Sequence, residues 1–240
     1  MRPAAPEWIF RLSSEKHYIL EPLKRQTRDP YPWETRYNRP IPKITKEYFR
    51  CKGNNLNPLK TLVSGGDKGI YLFDCGGSEA HSLPLKEERE FIYPILIDLL
   101  NFIQEKTRRR VVITCGHRCP VHNRYVDPGN SNQSSKHQIG AEVDFYVEGT
   151  ETQPLKIVEL ILAYYREEDP CKRYQNQTDV STEPWYNKEI FVKLYKEYEG
   201  RDLDNSHPYP YITLQVRYDR ELNRPIHYNW HCAHNGYRRL

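Results

Sequence analysis

The sequence predicts an α+β protein, a small antiparallel sheet with flanking helices. Three observations carry this. Strand-like and helix-like periodicities alternate along the chain, the last two strand-like runs are joined by a short polar turn as a hairpin, and no internal repeat or low-complexity segment appears. At 240 residues the chain is long enough for one well-buried core with an appendage.

Residues 1–65 are rich in Pro, Arg and Lys and show no sustained period, which predicts an extended arm on a domain spanning 66–240. Thr61-Leu-Val63 and Ile70-Tyr-Leu-Phe73, separated by a glycine-rich turn, read as a hairpin. From Pro84 to Thr107 the apolar positions Phe91, Ile92, Ile95, Leu96, Leu99, Leu100, Phe102 and Ile103 form a helical stripe. Pro84 and a run of Glu then supply the first turn. Val111–Thr114 is a short β-branched strand, 119–135 a loop, and Gly140–Val147 a second strand. Helices are expected over Pro154–Arg166 and Asn187–Tyr198, the latter within a polar insertion at about 150–208. Tyr211–Tyr218 and Pro225–His231 close the chain as paired strands.

Composition excludes several classes. Hydrophobic residues make up 38 % and charged residues 28 %, and 19 tyrosines supply large apolar area with polar tips. The formal charge of +4 comes from 36 basic and 32 acidic residues, too even a balance for a nucleic-acid partner. The basic run Lys106–Arg110 fits a helix C-terminus, where cations complement the dipole. No window approaches the ~20 apolar residues of a membrane span. The N-terminus has no apolar stretch of signal-peptide length, which is compatible with a cytoplasmic protein or with export after removal of a leader. Six cysteines leave disulfides and reduced thiols both open.

The chemistry concentrates in Ser135-Lys-His137-Gln-Ile-Gly140-Ala-Glu142-Val-Asp144. A catalytic zinc takes three protein ligands from His, Asp, Glu or Cys and keeps one position for water. An aspartate amid Val143, Phe145 and Val147 is costly unless paired, hydrogen-bonded or metal-bound, so His137 and Asp144 are predicted metal ligands. A third is sought in the C-terminal segment, where strand alternation would turn His227 and His231 to one face.

Together with the preceding Ile113-Thr-Cys-Gly-His-Arg118 turn, this motif resembles the zinc D-alanyl-D-alanine carboxypeptidases and dipeptidases of the bacterial cell wall, whose zinc fold hedgehog signalling domains share. The resemblance covers residues 85–147 well and 211–231 more loosely. It implies that His137 and Asp144 are the first two zinc ligands and that the third is a histidine on a later strand, His227 or alternatively His231. It also implies that Arg118 binds substrate and offsets the oxyanion, that Ser135 lies beside the metal on the substrate side, and that Asp219 or Glu221 is the general base. The activity implied is zinc-dependent hydrolysis of an amide bond in a peptide or peptidoglycan fragment containing D-alanine. The alternative is a metal-binding recognition domain of the same fold without catalysis.

The sequence departs from the family pattern at His117, which stands before Arg118, and at Glu142, which replaces the Ala two residues before the zinc Asp. On a strand, Glu142 shares a face with Asp144. His117, His122 and His234 are read as surface or supporting groups. Cys115-Gly-His-Arg-Cys119 with His231-Cys-Ala-His234 offers a structural zinc site as an alternative, although the spacing does not match paired-cysteine knuckles.

Overall fold

The computed structural model describes residues 41–62, 69–129, 134–167 and 183–239. The predicted arm therefore lies mostly outside the described residues, as do the glycine-rich turn before residue 69, part of the insertion and Cys171. Among the described residues a 3-10 turn (Lys46–Phe49) comes first, and then a hairpin, β1 (Lys60–Leu62) and β2 (Ile70–Leu72), in the expected place. Two-residue strands β3 (Leu85–Lys86) and β4 (Arg89–Glu90) form a second, tighter hairpin. Then come α1 (Pro94–Thr107), β5 (Val111–Cys115), α2 (Pro120–Val126), β6 (Glu142–Val147) and α3 (Pro154–Glu167). β7 (Trp185–Tyr186), β8 (Ile190–Tyr195), β9 (Tyr211–Val216), β10 (Tyr218–Asp219), β11 (Arg224–Pro225) and α4 (Trp230–Asn235) complete it.

The main sheet has the order β5-β6-β9-β8-β7, with every neighbouring pair antiparallel. The α+β class stands. Alternation decides what each face of the sheet meets. Val143, Phe145 and Val147 of β6, Ile212, Leu214 and Val216 of β9, and Val192 of β8 join one apolar core with the stripes of α1 and α3. The opposite face carries Glu142 and Asp144 on β6, with Gln215 and Thr213 directly across from them on β9. No helix among the described residues is long and apolar enough to cross a membrane.

Four elements differ from the sequence reading, the first being α2, a helix inside the stretch 119–135 read as a loop, opened by Pro120 and capped by the Cys119 sulfur. Helix α1 starts at Pro94, ten residues after Pro84. The intervening Glu87 and Glu88 have φ of 53° and 61°, the pair of left-handed residues that a two-residue hairpin turn needs. Glu90 is held by a bidentate ion pair from Arg50, at 3.0 and 2.8 Å, and accepts from the Leu83 amide. Asn187–Tyr198, read as a helix, contains strand β8 instead. Its buried Ile190, Val192 and Leu194 alternate with more open residues, and all six of its positions pair with β9. The expected strand Pro225–His231 ends at Pro225. Asn229 then accepts the Cys232 amide at 2.9 Å and caps α4, so local capping wins over extension.

The segment that carries the motif is a single 3-10 turn, Lys136–Ile139, closed by a capping box. The Ser135 hydroxyl accepts from the His137 amide at 3.2 Å, and the Gln138 side chain accepts from the Ser135 amide at 2.6 Å. Gly140 ends the turn at φ 69°, where a Cβ would stand 2.9 Å from the Phe91 carbonyl oxygen and 3.0 Å from Ile92. Gly140→Ala is expected to cost at least about 1–2 kcal/mol for the left-handed backbone alone. Urea unfolding checks this, and a midpoint unchanged from the parent would contradict it.

Candidate metal-binding cleft

The polar face of β6 and β9 forms the floor of a cleft of about 480 Å³. Its walls are the 134–137 segment, Arg118 after β5, and the loop 200–205. His137, Asp144 and Glu142 all reach it and all are buried. The His137 Nδ1 lies 2.8 Å from the Gly116 carbonyl oxygen, so its proton is donated there and Nε2 is left as the open nitrogen. Nε2 stands 3.6 Å from Asp144 Oδ2 and 3.7 Å from Glu142 Oε2.

Each carboxylate is otherwise held by neutral donors. Asp144 accepts from the Thr213 hydroxyl at 2.6 Å and from the Asn205 amide at 2.9 Å. Glu142 accepts from Gln215 at 2.7 Å and from Ser135 at 3.4 Å. Burial opposes charge on Asp144, but His137, Thr213 and Arg118 outweigh it and hold its pKa below the usual carboxylate range. Burial likewise opposes a cationic His137, yet the Glu142 and Asp144 carboxylates hold its pKa well above that of a free imidazole. A cation at Nε2 would lie between these two carboxylates.

Cys115, His137 and Asp144 form a group whose ligand atoms lie within 4.8 Å of one another, and such a set can hold a metal ion. The Cys115 sulfur lies 3.4 Å from Nδ1, the nitrogen committed to Gly116, and burial pushes its thiol up to about 12. The oxygens of Asp144 and Glu142 instead face Nε2. An ion on Nε2 thus meets an imidazole and the Asp144 carboxylate, with the Glu142 carboxylate beside them, a setting that suits a divalent cation.

The other predicted residues fall in two places. Ser135 caps the motif turn and points to Glu142, beside the site as expected. Arg118 lines the cleft, but it is buried and donates to Asp204 Oδ2 at 2.7 Å and Asp202 Oδ2 at 2.5 Å. Asp219, His227 and His231 line a separate groove around β11 and α4. Asp219 there accepts from the amides of Glu221 and Leu222 and pairs with Lys86 at 3.0 Å, the work of a turn cap. Glu221 is exposed on the same turn. His227 and His231 are exposed and bonded to Asn229 and Asn235, each at a local site. Neither joins the group at His137, because the chain turns into α4 where the sequence reading continued a strand. The strand that does face the site, β9, offers Thr213 and Gln215.

Thr213, Gln215, Asn205, Asp202 and Asp204 were missed by sequence reasoning, and Cys115, read with Cys119, His231 and His234 for a structural zinc site, instead lies with His137 and Asp144 while Cys119 joins a different group. The alternation Tyr211, Thr213, Gln215 between apolar residues is a signal that could have found two of them. The 202–205 loop gives no such signal, since its partners outside the loop lie 61 to 91 residues away.

His122, expected at the surface or in support, is buried between two carboxylates. Its Nδ1 lies 2.6 Å from Asp74 and its Nε2 3.0 Å from Asp204. His117 is buried as well, and burial pushes its pKa well below that of a free imidazole. No protein-family model, curated protein or solved structure matches the chain.

Burial opposes charge on His122, but hydrogen bonds to Asp204 and Asp74 prevail and raise its pKa to about 10. A raised folded-state pKa stabilises the protein fully below the unfolded value of about 6.5, and the contribution fades as pH climbs through the folded value. The stability of the parent should therefore fall between pH 6.5 and about 10, and His122→Gln should flatten that fall. Equal slopes for parent and variant in urea titrations across this window would show that the imidazole is uncharged there.

Proposed function

We propose that the chain is a metal-dependent peptidase-like hydrolase whose ion is held by His137 and Asp144 with Glu142 beside them. The observation that carries this reading is the convergence of Asp144 Oδ2 and Glu142 Oε2 on His137 Nε2, at 3.6 and 3.7 Å, in a polar cleft. Zinc is the metal that the resemblance to the cell-wall D-alanyl-D-alanine peptidases names, and a His-carboxylate set fits it. When bound, such an ion supplies Lewis acidity toward a scissile carbonyl and lowers the pKa of water.

The residues themselves do the rest. Gly116 fixes the His137 tautomer through Nδ1. Thr213 and Asn205 hold the Asp144 carboxylate in one orientation. Glu142 is the nearest carboxylate free of a strong ion pair, and it is assigned the general base, taking a water proton and returning it to the leaving amine. This role moves from Asp219, which lines the other groove, and from Glu221, which is exposed on the same turn. Arg118 carries a cation into the cleft wall, its charge shared with Asp202 and Asp204. The substrate class is a peptide, with D-alanine-terminated cell-wall fragments as the first to be tried.

A second reading, a metal-binding recognition domain without turnover, draws on two observations. The strand facing the site, β9, offers Thr213 and Gln215 and no histidine for a family-like third ligand, and Arg118 is already paired twice.

Metal content and hydrolysis separate the two. His137→Ala and Asp144→Ala should each abolish binding of zinc at the cleft and any hydrolysis of D-alanyl peptides. Glu142→Gln should keep the ion and lower kcat about 10²–10⁴-fold, the usual worth of a positioned acid–base group. Cleft zinc with no turnover of any peptide in the parent would support the recognition reading. His137→Ala and Asp144→Ala variants that both keep the parent's full metal content would remove both.

A further inference from the structure

A second group of ligating side chains lies apart from the cleft. Cys51 follows the 3-10 turn Lys46–Phe49, Cys75 follows β2, His81 lies six residues on, and Cys119 is the N-cap of α2. All four are buried, and their sulfur and nitrogen atoms lie within 4.8 Å of one another. The three thiols are free. From these residues we infer that Cys51, Cys75, His81 and Cys119 form a closed, structural zinc site.

The distances carry the argument. Around a tetrahedral zinc with bonds of about 2.3 Å to sulfur and about 2.0–2.1 Å to nitrogen, neighbouring ligands stand about 3.8 Å (S···S) and about 3.6 Å (S···N) apart. Cys51 and Cys75 sulfurs are 3.8 Å apart, and the Cys75 sulfur is 3.6 Å from His81 Nε2. Two edges of the expected tetrahedron are therefore already formed.

The surroundings suit a thiolate site rather than three buried thiols. His81 Nδ1 lies 3.0 Å from the Ser82 carbonyl oxygen, which takes its proton and leaves Nε2 to ligate. The Gly77 amide donates to the Cys75 sulfur and the His122 amide to the Cys119 sulfur, each at 3.4 Å. Such N–H···S bonds spread the negative charge that three thiolates leave around a dication. Gly53 closes the space, since a Cβ there would stand 2.1 Å from the Cys75 sulfur. Tyr237 packs edge-on against His81 with ring centroids 5.6 Å apart and covers the group.

Four protein ligands leave no position for water, which is the mark of a structural rather than a catalytic ion. The ligands sit in connections and at the start of α2, outside the main sheet, so the ion would do for this end of the molecule what a core does for the sheet. On binding, each thiol that ligates gives up its proton to solvent, and no oxidant is involved.

The test uses the full chain purified from zinc-supplemented culture, with metal measured by elemental analysis. One ion is expected that survives His137→Ala/Asp144→Ala and is lost in Cys119→Ser. A second ion, lost in the first variant alone, belongs to the cleft, so failure of either assignment is seen separately. Where Cys119→Ser does not fold, cobalt exchange of the parent decides. Thiolate-to-cobalt charge-transfer bands are expected, and His81→Cys should keep the ion while shifting those bands. The inference is overturned by cobalt-loaded parent without such bands, by Cys119→Ser protein that keeps its full metal content, or by an oxidised cysteine pair in the native mass.

Discussion

Everything in the cleft rests on the two-sided character of β6. Val143, Phe145 and Val147 are driven into the core against α1 and α3, and the period of two then forces Glu142 and Asp144 onto the opposite face. A one-residue slip would bury both carboxylates in the core and expose the apolar set. Register is therefore fixed by a large hydrophobic term, about 1.5–3 kcal/mol for each such side chain fully buried. The same register sets Thr213 opposite Asp144 and Gln215 opposite Glu142, so each carboxylate meets a neutral donor from the neighbouring strand.

Buried carboxylates demand compensation, and the molecule meets that demand with long-range partners. Asn205 is the clearest case. Its amide donates to Asp144, its oxygen accepts from the Thr114 hydroxyl, and its own backbone amide is held by Asp202. Asp202 and Asp204 in turn bind Arg118, and Asp204 reaches His122, which is also bound to Asp74. The chain of alternating charges runs from the cleft to the far side of α2. Removing one member strands a buried charge, which commonly costs 3–5 kcal/mol, about twice the worth of a neutral hydrogen bond or more.

Local pattern made much of this legible in the sequence. The stripe of α1, the strands β5, β6 and β9, and the Ser135–Asp144 motif all follow from periodicity or from residue types at fixed spacing. The resemblance placed His137 and Asp144 together, and the structure brings them within 3.6 Å. What failed were positions where a short-range preference and a tertiary one compete. Asn187–Tyr198 has enough helix formers to read as a helix, but pairing with β9 and burial of Ile190, Val192 and Leu194 make it a strand. His227 and His231 were assigned by extending a strand, and Asn229 capping α4 sends them elsewhere. The 202–205 loop and the Cys51, Cys75, His81 and Cys119 group had no local signature, because their members are joined only by the fold.

The segment Cys115–Cys119 shows how the two groups depend on each other. Cys115 ends β5 against His137, Gly116 supplies the carbonyl that sets the His137 tautomer, Arg118 anchors the 202–204 loop, and Cys119 starts α2 among the other three ligands. Five consecutive residues thus touch the cleft at one end and the cysteine group at the other. Gly116 is pinned from behind, because a Cβ would stand 2.6 Å from the Phe49 Cα, and Phe49 lies two residues before Cys51. The His117 amide donates to the Phe49 carbonyl at 2.6 Å and fixes the same pairing. An ion that held Cys51 and Cys119 together would therefore hold both ends of this short span. It would fix the position of the Gly116 carbonyl, and with it the direction in which His137 Nε2 faces the two carboxylates.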